Sequence, residues 1–386
     1  MAKDRPRESN SPVTIQRGIE VLMPDWSKDL PQDLIISIAK LVAVSSFEDF
    51  SDFGAVCKSW KSAADHLKKN YLTNTTEGLG FFTNQAPLLV LPPTNRWNED
   101  DDGMVKFFSL TKGKTYKHSL PETARKVCCS SLGWLLTLCD EKGEKAGLQC
   151  HLVHPLNRTN IQLPNLRYPY TNFISKFVIS SSPSWALDYV VMYATSMNLQ
   201  FCRPGLGIDW TKINPSSTPQ LVERFCISDL LFYKGQFYVV DFKGCVLVCD
   251  IQNPMQTQTR MVSAGIPKEL LGRTRNNDKT YLVESAGVLL VVVCSTNDEW
   301  TMSYRVFEVP FSNDKSWSES EVKNLGRRTV FLGGRSSSFS IDSSGYSRCK
   351  PNCIYFSSSR DCNCSPMDAG IGGWNYQSSL DQILLY

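Results

Sequence analysis

The sequence predicts an α + all-β protein: a small N-terminal helical module followed by a β-propeller-like domain of about six blades. Three observations carry this. Apolar residues between positions 30 and 67 recur at helical spacing. After Leu72 that spacing stops, and short apolar runs alternate with clusters of Gly, Pro, Asn, Asp and Ser. Those runs recur in groups of roughly 50 residues, the length of one propeller blade. On this reading residues 1–23 are a disordered tail, 24–70 the helical module and 71–386 the β domain.

The helical module opens at Leu30-Pro31. Pro31 suits the first turn of a helix, where its missing N–H costs nothing. Ser27 or Asp29 can supply a cap, and Asp33 sits where the helix dipole favours a negative charge. Leu34, Ile35, Ile38, Leu41 and Val42 then have the one-face spacing of an amphipathic helix. A second helix is predicted from Ser45-Ser46, with Ser46 and Asp49 at capping-box spacing. Its apolar stripe runs Phe47, Phe50, Phe53, Val56, Cys57, Trp60, Ala64 and Leu67. A unit of about 40 residues has little core of its own. It reads as a docking module rather than part of a catalytic core.

The ordered set Leu30-Pro31, Asp33-Leu34-Ile35, Ile38, Asp49-Phe50 and Val56-Cys57-Lys58-Ser59-Trp60 resembles the F-box. An ordinary helical hairpin capping a larger domain is the bland alternative. Leu30-Pro31 at this distance ahead of Val56-Cys57-Lys58 argues against it. The resemblance implies a Skp-type adaptor as partner and, through it, a cullin. It also implies that Leu30, Pro31, Leu34, Ile35, Ile38, Val56, Cys57 and Trp60 form or support the apolar face that meets the adaptor. Trp60 is either the anchor of that face or an internal packing residue.

Beyond residue 72 the strand candidates are 88–91, 105–110, 133–138, 149–153, 177–179, 189–193, 236–241, 245–250, 288–294 and 304–309. They are short and rich in Val, Phe, Tyr, Leu and Cys, an all-β pattern. Ser131-Leu132-Gly133-Trp134, Tyr233-Lys234-Gly235-Gln236 and Ser285-Ala286-Gly287-Val288 each place a Gly before a strong apolar strand. Third strands follow at Cys150, Cys245 and Tyr304. The units fall near 79–120, 127–163, 175–213, 224–263, 280–325 and 329–386. A closed ring buries faces that a single unit cannot, and it leaves no long edges. Ile354-Tyr355-Phe356 and Ile383-Leu384-Leu385-Tyr386 are expected to pair with first strands near 79–82 to close it. A pair of β-sandwiches is the alternative architecture.

Further stretches resemble the plant F-box proteins that carry "domain of unknown function" 295 and are labelled kelch-like. They are Ser131 to Leu136, His154-Pro155-Leu156-Asn157-Arg158 with Ile161 to Pro164, and Phe232 to Gly244. Val309-Pro310-Phe311 and Trp317 through Leu325-Gly326-Arg327-Arg328-Thr329-Val330-Phe331-Leu332-Gly333 follow. The family implies core positions at Val322, Leu325, Phe331 and Leu332. The double glycine of true kelch repeats is absent from most units.

The chain is 42 % hydrophobic and 20 % charged with a net charge of +3, which is ordinary for a globular protein and too mild to imply nucleic acid. Lys58, Lys61, Lys68 and Lys69 read as a solvated helix face. No signal-peptide pattern or membrane-length apolar run is present, so no membrane contact and a cytoplasmic or nuclear location are expected. Fourteen cysteines spread over the chain read as reduced buried thiols. The glycosylation patterns at Asn74 and Asn157 read as accidental on that location.

No catalytic motif stands out, so no enzyme activity and no cofactor is expected. His151 and His154 read as hydrogen-bonded residues rather than ligands. Residues 99–102 read as an acidic solvated turn. Cys349, Cys353, Cys362 and Cys364 could hold zinc, but their spacings depart from the usual knuckles, and no metal is assigned.

The leading reading is the substrate-recognition subunit of a Skp–cullin–F-box ubiquitin ligase. Its β domain would bind an as yet unidentified target protein through loops at 95–103, 165–172, 203–219 or 273–279, with Arg203, Trp210, Arg273 and Arg275 as anchors. The alternative is an adaptor-binding regulatory protein that acts outside the ligase. A propeller enzyme is the third reading, and the missing constellation of titratable groups counts against it.

Overall fold

The computed structural model describes residues 30–70, 88–91, 104–120, 127–139, 375–376 and 383–385, and 148–356 apart from 157, 167–173, 185, 216–217, 219–220, 222–224, 254–255, 272–278, 297–301, 313–314 and 347–348. The expected tail and the candidate caps Ser27 and Asp29 lie outside these residues.

Three helices come first: α1 (Gln32–Ser45), α2 (Phe47–Ala55) and α3 (Lys58–Asn70). Pro31 precedes α1, and its carbonyl accepts from the N–H groups of Leu34 (3.1 Å) and Ile35 (3.2 Å). Ser46 caps α2 as its spacing foretold. The Asp49 N–H donates to Ser46 Oγ at 3.1 Å, and the Ser46 hydroxyl donates to Asp49 Oδ2 at 2.7 Å. The expected single second helix is in fact two, broken at Val56-Cys57. Gly54, a weak helix former, sits in the last turn of α2 facing Ala64 of α3. The chain therefore folds back on itself instead of running on.

Six four-stranded sheets follow, which excludes the sandwich architecture. Blade 1 is Leu88–Leu91, Met104–Ser109 and Thr115–Ser119, with Ile383–Leu385 as its inner strand. Blade 2 runs outward through Val127–Ser131, Trp134–Cys139, Leu148–Val153 and Asn160–Leu166. Blade 3 is Lys176–Ile179, Val191–Ala194, Leu199–Arg203 and Ile208–Ile213. Blade 4 is Ile227–Tyr233, Gln236–Asp241, Val246–Asp250 and Gln258–Ser263. Blade 5 is Lys279–Ser285, Val288–Thr296, Met302–Glu308 and Glu321–Val322.

Blade 6 breaks the meander. Its inner strand is Phe339–Asp342, paired with Arg328–Leu332. Cys353–Phe356 joins Arg328–Leu332 in parallel, and Asn375–Tyr376 joins Cys353–Phe356 in parallel. Among the described residues the ring closes through Ile383–Leu385, paired antiparallel with Leu88, Leu89 and Val90. Cys353–Phe356, also expected to close it, belongs to blade 6. Residues 79–82 lie outside the described residues.

The glycine before each strong strand has a structural cause. Leu132-Gly133, Lys234-Gly235 and Ala286-Gly287 all have positive φ, 44–52° at the first residue and 80–83° at the second. These are two-residue hairpin turns whose twist matches the flanking strands.

Apolar clusters link successive blades all the way round. Leu152 and Phe177 join blades 2 and 3, Phe201 and Val239 join 3 and 4, and Val248 and Val291 join 4 and 5. Val292 and Val330 join 5 and 6, and Phe331 with Leu110 joins 6 back to 1. Leu325, Phe331 and Leu332 are buried as expected, and Val322 is half-buried.

Candidate functional site

Helix α1 carries two apolar faces. Ile35, Ala39 and Ala43 are fully buried and pack with Phe50, Phe53, Ala64 and Leu67, flanked by half-buried Ile38 and Val42. Leu34 and Leu41 point away, 49 % and 73 % exposed. A helix that is apolar on a second side has a second surface to cover. Val56, at the α2–α3 break, is 60 % exposed. A hydrogen bond of 3.2 Å from the Ser59 hydroxyl to Gln32 Oε1 ties the start of α3 to the start of α1. It brings Pro31 and Leu34 to the same end of the module as Val56 and Cys57.

The eight residues named from the sequence therefore divide by position. Pro31, Leu34 and Val56 are exposed; Leu30, Ile38, Cys57 and Trp60 are half-buried; Ile35 is in the core. Ile35 can only support the face, never touch a partner. Trp60 packs internally, with its ring 4.5 Å from that of Phe53. The single apolar face read from the sequence is therefore two, and Leu41 shares the outward one with Leu34.

The opposite side of the module is fused to blade 1. Phe47 meets Phe107 edge-on at 5.9 Å and His118 at 5.7 Å. Lys112, in the turn after Met104–Ser109, reaches Asp49 Oδ1 at 2.5 Å and Asp52 Oδ2 at 3.1 Å. The hydrogen bonds from Lys112 and then Ser46 hold the Asp49 carboxyl below its ordinary pKa. Burial opposes the Lys112 charge, but Asp49 and Asp52 outweigh it and raise its pKa.

Two of the four expected target anchors, Arg203 and Trp210, are committed within the fold. Arg203 donates to the Ile251 carbonyl at 3.3 Å and faces Asp188 at 3.7 Å. The Trp210 indole donates to the Pro164 carbonyl at 2.7 Å, joining blade 3 to blade 2. Arg273, Arg275, residues 95–103 and most of the 165–172 and 273–279 loops lie outside the described residues, as do 99–102, Asn74, Asn157, Cys362 and Cys364. Cys349 and Cys353 are buried free thiols. His151 Nδ1 lies 3.0 Å from Asn160 Oδ1. Burial pulls His154 down to about 4, which leaves its ring neutral against Trp134.

A polar knot sits where the inner strands meet, and no sequence motif marks it. Lys176 Nζ lies 2.8 Å from Asp229 Oδ1 and donates to the Gly333 carbonyl at 2.9 Å. In the sequence each lies beside an apolar run with no pattern that distinguishes it from a surface charge.

A propeller with a helical module of F-box type at its N-terminus is thus the class of protein that fold and site define. The chain belongs to the KIB1-4 beta-propeller family, whose model matches residues 107–376. It is similar to F-box protein At2g26160 of Arabidopsis thaliana, 25 % identical over 364 residues that cover 86 % of this chain and 95 % of that protein. F-box protein At4g35733 of the same plant is 25 % identical over 356 residues, 86 % of this chain and 88 % of that protein. F-box protein SKIP23, also from that plant, is 26 % identical over 302 residues, 70 % of this chain and 64 % of that protein. The plant F-box affiliation read from the motifs agrees with these relatives.

Proposed function

We propose that this chain is the substrate-recognition subunit of a Skp–cullin–F-box ubiquitin ligase, with residues 24–70 as the F-box and 71–386 as the target-binding domain. The observation that carries the reading is the outward apolar face of Pro31, Leu34, Leu41 and Val56, on a module whose other side is already covered by blade 1. Each large side chain fully buried against an adaptor contributes about 1.5–3 kcal/mol. Leu30, Ile38, Cys57 and Trp60 shape that face, and Ile35 supports it. The subunit itself makes and breaks no bond. It holds a target protein beside a ubiquitin-conjugating enzyme, raising effective concentration and fixing orientation. The buried free thiols suit a reducing compartment, the cytoplasm or the nucleus.

The test is co-purification with a Skp-type adaptor and a cullin. Wild type retains both, and Leu34→Asp/Val56→Asp retains neither while melting at the same temperature. A wild-type chain that binds no adaptor ends the reading. A chain that binds the adaptor without the cullin belongs to the alternative class, a regulator working outside the ligase.

A further inference from the structure

Blades 4 and 5 meet beneath an exposed aromatic ring. Phe311, in the turn after Met302–Glu308, is 52 % exposed. Its ring stacks on Tyr233 at 6.3 Å and 26° and stands edge-on to Tyr238 at 5.9 Å. Both tyrosines are buried, and the Tyr233 hydroxyl donates to the Gly287 carbonyl at 2.6 Å. The outer ring is thus held by fixed partners while half of it faces water. A side chain already ordered has little entropy left to lose on binding. Val288 continues the apolar surface at 38 % exposure. The Val309 N–H donates to the Leu289 carbonyl and holds the Phe311 turn beside it.

Two cations border this shelf. The Lys234 ammonium lies 5.0 Å from the Tyr233 ring centroid. Arg260 shares a rung with Tyr238 through Val248, so its side chain stands on the same face of the sheet. Both are exposed, and neither meets a carboxylate among the described residues. Among the described residues, three acids of the surrounding turns are already engaged: Glu308 by Lys315, Glu319 by Ser316, and Glu284 by the Gly287 N–H. An aromatic shelf with two unpaired positive charges complements a segment that is apolar at one position and negative beside it.

We propose that this blade 4–blade 5 shelf is the docking surface for the target, and that it takes an acidic-apolar peptide segment of a protein. An aromatic or aliphatic side chain of that segment lies on Phe311 and Val288, and its carboxylates face Lys234 and Arg260. The assignment rests on the substrate-receptor reading for its biological meaning, and on the shelf itself for its chemistry.

The experiment probes the full chain, in complex with a Skp-type adaptor, against arrays of synthetic 12-residue peptides. Each peptide carries a central Phe or Leu flanked by Glu, by Gln or by Lys. Wild type is expected to retain the Glu-flanked peptides at least tenfold over the Lys-flanked ones. Phe311→Ala should lose that retention, and Lys234→Glu/Arg260→Glu should invert it, with adaptor binding unchanged in both. No retained peptide, no charge preference, or equal retention by the variants overturns the proposal. The arrays are read a second time with the chain alone. A chain that shows the peptide preference but binds no adaptor refutes the ligase reading and leaves the shelf standing.

Discussion

Lys176 and Asp229 form an ion pair of 2.8 Å in which both side chains are almost wholly shut off from water, 2 % and 1 % exposed. The pair draws in four blades. Lys176 starts blade 3 and donates to Gly333 of blade 6. Asp229 belongs to blade 4; its Oδ1 accepts from the Leu230 N–H, and its Oδ2 accepts from the Leu282 N–H of blade 5 at 2.9 Å. Burying two charges is costly, and this cost is offset only where every remaining donor and acceptor is used. Removing one partner strands the other. Lys176→Met is expected to lower unfolding free energy by about 3–5 kcal/mol, measured by urea denaturation.

The pH dependence of that variant has a definite sign. Burial raises the Asp229 carboxyl above its ordinary 3.8, against the opposing pull of Lys176 and the two backbone N–H groups. A raised carboxyl adds most stability below its unfolded value and loses it as pH rises through the folded value. Without Lys176 the carboxyl rises further. The stability gap between Lys176→Met and wild type should therefore widen as pH increases above about 4. A constant gap between pH 4 and 8 would contradict this.

Leu34 and Ile35 are adjacent in sequence and opposite in consequence. Leu34→Ala trims an exposed side chain, so stability should change by less than about 0.5 kcal/mol while adaptor retention falls at least tenfold. Ile35→Ala opens a cavity in the module and should cost about 2–5 kcal/mol. Thermal melts run beside adaptor pull-downs separate the two effects. Loss of binding in Ile35→Ala without loss of stability would place Ile35 on the wrong side of the helix.

How much was legible follows from the same logic. The order and extent of the six β units, the capping of α2 by Ser46 and the tight turns before the strong strands were readable because local chemistry dictates them. The inner strands Ile227–Tyr233 and Lys279–Ser285 were missed because Asp229 and Thr280, serving the ring's centre, interrupt their apolar pattern. Leu34 and Leu41 were read on one face with Ile35 and Ile38, because spacing alone does not separate a covered apolar face from an uncovered one. The Phe311 shelf had no signal at all. Phe311, Tyr233 and Arg260 come together only when blades 4 and 5 pack.

The Lys112 clamp should loosen in acid. Asp49 is held below its ordinary 3.8, chiefly by Lys112 and then by Ser46. A depressed carboxyl contributes stability that is present above its unfolded value and lost as pH falls through the folded one. Because the pair is partly exposed, about 1 kcal/mol or less is at stake. Protection of the α2 amides, taken relative to intrinsic exchange at each pH, should fall below pH 4 in wild type, and in Lys112→Met it should be lower already at neutral pH. Equal exchange in both at pH 7 would show that the apolar contact of Phe47 with Phe107 holds the junction unaided.

Thiol labelling reads the adaptor face directly. Burial pushes Cys129 up to about 11 and both Cys150 and Cys249 to about 12, so these stay protonated and shielded at pH 8. Among the described thiols only Cys57 and Cys226 are half-exposed. Iodoacetamide followed by peptide mass mapping should modify these two before the other described thiols. Adding the adaptor should protect Cys57 and leave Cys226 reactive; equal labelling of Cys57 with and without adaptor would remove it from the interface.

The pairing of Ile383–Leu385 with Leu88, Leu89 and Val90 also sets an order of events during synthesis. On the ribosome, the four strands of blades 2 to 5 emerge consecutively, and each sheet can assemble as it appears. Blade 1 emerges before them all, yet waits with one edge open until residues 383–385 have been translated. An open edge is a template for mispairing. The nascent protein must keep Leu88–Leu91 shielded for that interval, so a chain cut short before residue 383 leaves its first blade unsealed.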